Sequence, residues 1–113
     1  MLTIEKLQAF GADTEEGLAR CMKNEGLYLR LVGTITTEKN FDALKTAIEE
    51  GDLDKAFEAA HALKGVSGNL SLTPIYTPVV EITEQLRAKT EMDYTGEVEA
   101  ILAKRDELKA LCD

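Results

Sequence analysis

The chain has 113 residues, enough for one domain with a self-sufficient core, and its 21 acidic against 13 basic side chains give a formal net charge of −8. That balance repels a phosphate backbone and an anionic lipid surface, so neither nucleic acid nor a membrane is expected as a partner. Cys21 and Cys112 form no CxxC pair and the chain has one histidine, so both thiols read as reduced and no metal or cofactor is expected.

The segment Met1 to Lys6 lacks the apolar h-region of a signal peptide, and no stretch approaches the roughly 18 apolar residues of a membrane span; a soluble, cytoplasmic protein is the expectation. With only two prolines, and apolar residues recurring at spacings of three and four, the pattern predicts helices throughout and no strands. The first covers Thr3 to Phe10 and ends at Gly11. A second begins at Asp13, which with Glu16 has the spacing of a capping box. Asn24-Glu25-Gly26 marks a kink or short break, beyond which Leu27, Tyr28, Leu31, Val32 and Ile35 continue the stripe. Thr37 is placed to cap the next helix, which carries Phe41, Leu44, Ala47 and Ile48 and stops at Gly51.

Asp52 caps the following helix, with Leu53, Ala56, Ala60, Leu63, Ser67 and Leu70 facing inward and Phe57 near the edge. Gly65 and Gly68 could end it. The apolar positions Leu63, Val66 and Leu70 nonetheless share one broad stripe, which favours continuation through both glycines. Thr73 then reads as an N-cap with Pro74 at N1, and Pro78 predicts a restart with Thr77 as cap, because proline inside a helix removes a donor. Val79, Ile82 and Leu86 form the next stripe. After the polar Lys89 to Asp93 connection, the last helix carries Tyr94, Val98, Ile101, Leu102, Leu108 and Leu111. Six helices with short connections predict an all-α fold over residues 1–113, an up-and-down four-helix bundle with additional short N-terminal helices covering one end. No heptad seam calls for a partner helix, so a monomer is expected.

The informative residue is His61. On a helical wheel it lies about 150° from the centre of the apolar stripe, with Gly68 about 20° away, Gly65 about 40° and Lys64 about 60° to the other side. Each interior glycine costs about 1 kcal/mol against alanine, which calls for a reason. One reason is clearance beside an exposed imidazole, so that another protein can bring a group to a ring nitrogen. A phosphoryl group suits this, since its transfer depends mainly on positioning and charge stabilisation, and Lys64 supplies a mobile ammonium. The other is tight helix crossing, with His61 an ordinary solvated residue. Spacing alone leaves both open.

The run His61-Ala62-Leu63-Lys64-Gly65, followed by Gly68-Asn69-Leu70, resembles the signature of the histidine-containing phosphotransfer (HPt) family, H-x-L-K-G leading into small residues and an aliphatic one. Ser71 stands where that family often has glycine, and Pro78 is unusual near the start of the following helix. The resemblance implies a carrier and not an enzyme. Its histidine takes a phosphoryl group from a receiver-domain aspartate and passes it to another, the receivers supplying the aspartate and the divalent metal. By that resemblance His61 is the phosphoacceptor, Lys64 the charge partner for the phosphate, and Gly65 and Gly68 the clearance for the docking receiver. Phe57, Glu58 and Leu72 are expected on the docking rim. The partners expected are receiver domains of response regulators and hybrid histidine kinases.

Two other readings compete. A helical interaction module could dock a receiver-like partner without phosphorylation, although docking alone needs no nucleophile beside a cation. A phosphatase acting through His61 would need a second acid–base group at helical spacing, and none is evident.

Overall fold

Four short polar side chains begin helices as their chemistry requires. Thr3, Asp13, Asn24 and Asp52 each accept a hydrogen bond from the backbone N–H three residues on, at 3.0–3.1 Å, which satisfies a donor that the first turn leaves free. In the computed structural model, which describes residues 1–113, these caps open α1 (Ile4–Phe10), α2 (Thr14–Arg20), α3 (Glu25–Ile35) and α5 (Leu53–Asn69). The others are α4 (Asn40–Glu49), α6 (Thr73–Arg87) and α7 (Thr95–Cys112). There are seven helices, not six: of the kink or short break expected at Asn24, the structure has the break, and Asn24 caps a new helix. Gly51, at φ +71°, lets the chain reverse after α4.

The four C-terminal helices close a ring, α4 on α5, α5 on α6, α6 on α7 and α7 back on α4, with α5 making the most extensive contacts. Short loops join them in sequence, the mark of an up-and-down bundle. Inside lie Phe41, Leu44, Leu63, Ile75, Val79, Ile82, Ile101 and Leu108, all fully buried. α1 and α3 pack on α7, and α2 bridges them, which covers one end of the bundle as the sequence predicts.

Two helix starts differ from expectation. Thr37 does not cap α4: its hydroxyl, like that of Thr36, donates back to a carbonyl of α3, and α4 begins after Lys39 with no side-chain cap. These hydroxyls finish one helix instead of starting the next. α6 likewise does not restart at Pro78 but runs unbroken from Thr73, with Leu72 in place of Thr73 as N-cap. Ile75, Val79, Ile82 and Leu86 recur at steps of four, three and four, and each is essentially fully buried. Keeping that stripe in phase outweighs the backbone bond that Pro78 removes, which lies near the start of the helix.

The end of α5 is anchored by a buried tyrosine. The Tyr28 hydroxyl donates to the Leu70 carbonyl at 2.9 Å, satisfying an acceptor at the helix terminus, and its ring passes beneath Gly17. A Cβ on Gly17 would sit 2.5 Å from that ring, so only glycine permits the approach. Burial pushes the Tyr28 hydroxyl up to about 12 from 10.0, with smaller contributions from Cys21 and Asp13.

Candidate functional site

α5 crosses the bundle with a small-residue inner face, Ala56, Ala59, Ala60, Leu63 and Ser67 all being buried. Ser67 remains in the helix by donating its hydroxyl to the Leu63 carbonyl at 2.6 Å, which satisfies a polar group that faces the core. The opposite face is a ridge running from Asp54 through Glu58 and His61 to Gly65. Its side chains are exposed, and the His61 imidazole stands clear of the core. The helix continues through Gly65 and Gly68 to Asn69, so Lys64 and both glycines keep the positions that the wheel assigns around His61.

The two glycines differ in what they leave open. Nothing lies within 4 Å of the position a Cβ would take at Gly65, which leaves bare backbone one turn from the imidazole. At Gly68 that position is 2.9 Å from Cε1 of Tyr76, on α6. The expected clearance at Gly68 is therefore filled from within: the missing side chain lets the Tyr76 ring lie against α5, the tight helix crossing named as the other reason for an interior glycine.

His61, Lys64, Gly65 and Gly68 line one groove of about 640 Å³, with α2 on one wall and α6 on the other. Lys64 is half-buried and belongs to none of the protein's ion pairs, so its ammonium is uncommitted beside the imidazole. Sequence reasoning did not find the rest of the lining. Asp13, Glu16 and Arg20 come from the α2 region, Ser71 from the turn after α5, and Tyr76 and Thr77 from α6. Arg20 pairs with Glu16 at 3.2 Å, and the same Glu16 oxygen accepts from the Ser71 hydroxyl at 3.0 Å. Asp13, Glu16 and Arg20 lie about 40 positions or more before His61, and no local pattern links the two segments.

Ser71 accounts for the departure noted at that position. It adopts φ +55°, the left-handed conformation that glycine takes without strain. Here the side chain is retained and tied to Glu16, while the Ser71 carbonyl accepts from the Asp13 N–H at 3.0 Å. The turn after the histidine helix is thus clamped to the cap of α2.

The expected rim residues separate. Glu58 is exposed on the ridge, and Phe57 is half-buried with its ring stacked on His61. Leu72 is fully buried and joins the core, so it offers no docking surface. The reason is geometric: as N-cap of α6 it sits on the inner side of the turn, and its carbonyl accepts from the N–H groups of Ile75 and Tyr76. No group of three or more His, Cys, Asp or Glu side chains is placed to hold a metal ion. No helix is long and apolar enough to cross a membrane.

The groove thus presents an exposed imidazole, a cation that belongs to no ion pair and a stretch of bare backbone, open to solvent along one side of the bundle. Neither the curated proteins nor the solved structures provide a match to the chain. A family model described as Hpt domain matches residues 35–113, which takes in all four bundle helices and the whole motif around His61. The chain belongs to the Hpt domain family.

Proposed function

We propose that this protein carries a phosphoryl group on His61 between receiver-domain aspartates of a two-component phosphorelay, acting as a monomer in the cytoplasm. Hpt domains as a family are phosphocarriers that engage receiver domains. The observation that carries the reading for this chain is the exposed His61 imidazole beside the unpaired Lys64 and the open backbone at Gly65.

In the proposed step a ring nitrogen of His61 attacks the phosphorus of an aspartyl phosphate on the docked receiver. The N–P bond forms as the P–O bond breaks, and the electron pair leaves with the aspartate carboxylate. The imidazolium first formed gives up its remaining ring proton to solvent. Lys64 lowers the cost of gathering phosphate charge beside the helix, and Gly65 admits the partner's loop. The reverse sequence passes the group to a second aspartate. The chain contributes a nucleophile and a charge, and the receiver contributes the remaining machinery.

The test is to mix the full chain with a labelled phospho-receiver and follow label onto the chain and then onto a second receiver. Transfer through wild type and none through His61→Gln supports the proposal. Equal transfer through both rejects it.

A further inference from the structure

The Phe57 ring lies 5.7 Å from the His61 ring, centroid to centroid, with the two planes only 15° apart. They stand four positions apart, so the stack lies along α5 with Phe57 one turn before the imidazole. The Phe57 ring in turn lies beneath the guanidinium of Arg87, whose Cζ is 5.0 Å from the ring centroid. Arg87 comes from the last turn of α6 and is held there by Glu84 at 3.4 Å. Two residues on, Lys89 reaches back to Asp54 on the first turn of α5 at 3.3 Å. The end of α6 thus lies beside the start of α5, and the cation–aromatic–imidazole series spans the junction.

We propose that Phe57 is a positioning residue for His61: it holds the imidazole in one orientation for transfer, and Arg87 holds Phe57. This rests on His61 being the phosphoacceptor and goes beyond the docking-rim role that the sequence suggests for Phe57. An exposed histidine on a helix has two accessible χ1 wells and a broad χ2, so only a fraction of its orientations point a ring nitrogen along the line of attack. Stacking on a neighbouring ring selects among them before the receiver arrives. Alignment supplied in advance raises the rate of the transfer step itself, whereas a rim contact would chiefly raise affinity for the receiver. The Arg87 contact matters because a half-buried phenyl ring would otherwise move with the histidine it is meant to hold.

The experiment has two readouts on the full chain, for wild type, Phe57→Leu, Phe57→Tyr and Arg87→Gln. Because the chain has one histidine, its imidazole C–H resonances are unique in a proton–carbon correlation spectrum. Stacking predicts that they lie upfield in wild type and Phe57→Tyr and move downfield in Phe57→Leu. The second readout is single-turnover transfer from a phospho-receiver as a function of receiver concentration. Phe57→Leu is expected to lower the limiting rate about 3–10-fold, with the half-saturating concentration changed less than about twofold; Phe57→Tyr restores it and Arg87→Gln falls between. An unchanged limiting rate with a raised half-saturating concentration overturns the positioning role in favour of a docking rim. Should Phe57→Leu unfold, Arg87→Gln decides, because it keeps both rings; an unchanged limiting rate and unshifted resonances in that variant overturn the proposal. Absence of label on wild type itself overturns the phosphoacceptor reading, and the positioning role with it.

Discussion

Alanine at Gly65 and alanine at Gly68 make the same chemical change in the same helix, three residues apart, yet the structure predicts different effects on stability. Both remove a glycine from a helix interior, which is worth about 1 kcal/mol in propensity. At Gly65 the new methyl group meets nothing within 4 Å, so the gain is expressed in full. At Gly68 it arrives 2.9 Å from the Tyr76 ring, and α6 or the ring must shift. Overpacking of this kind costs about 1–3 kcal/mol, which cancels or exceeds the propensity gain. Urea denaturation followed by circular dichroism should show Gly65→Ala more stable than wild type by about 0.4–1 kcal/mol, near 4 °C in Tm, and Gly68→Ala no more stable or less so. Equal stabilisation by both would refute the assignment of Gly68 to helix packing. Function should move the other way: Gly65→Ala, though more stable, is expected to transfer phosphate more slowly because its methyl occupies the receiver's approach. Unchanged transfer would remove the clearance role.

Further outcomes follow from the groove and its supports. Lys64→Ala should slow transfer while leaving the unfolding midpoint nearly unchanged, since its ammonium makes no ion pair; an unchanged rate in single-turnover assays would remove its charge role. Tyr28→Phe leaves the Leu70 carbonyl without its donor and should cost about 1–3 kcal/mol by chemical denaturation at neutral pH. Its dependence on pH has a definite sign: the folded-state value, about 12, lies above the unfolded 10.0, so the contribution of Tyr28 is complete below pH 10 and is lost as pH rises toward 12. The stability gap between wild type and Tyr28→Phe should therefore narrow across that interval, and a gap that widens contradicts the burial argument. Ser71→Ala keeps the strained φ and loses the bond to Glu16, costing about 1 kcal/mol, whereas Ser71→Gly relieves the strain and should lie closer to wild type in thermal melts.

Much of the bundle was legible because its signals are local. Asp13 and Asp52 as caps, Gly11 and Gly51 as stops, and the in-phase stripe through Gly65 and Gly68 are all readable within a turn or two of helix. The misplacements arose where a residue had two local uses and tertiary packing chose between them. Thr37 could cap forward or bond backward, Pro78 could break a helix or ride in one whose apolar face was already committed, and Leu72 could lie on either side of a turn. At the site, the motif located His61, Lys64 and Gly65 on one exposed face. It did not disclose that Gly68 receives Tyr76, that Arg20 and Glu16 wall the groove, or that Phe57 stacks on the imidazole with Arg87 over its ring. Each of these depends on which helix lies against α5, and that is decided by the whole core and not by the ten residues around the histidine.

The most direct test is to locate the modified atom. After incubation with a phosphorylated receiver, the intact chain should gain one phosphoryl mass that is lost in acid, survives base and maps by fragmentation to His61. A phosphoryl group mapped to any other side chain, or retained by His61→Gln, would contradict the account.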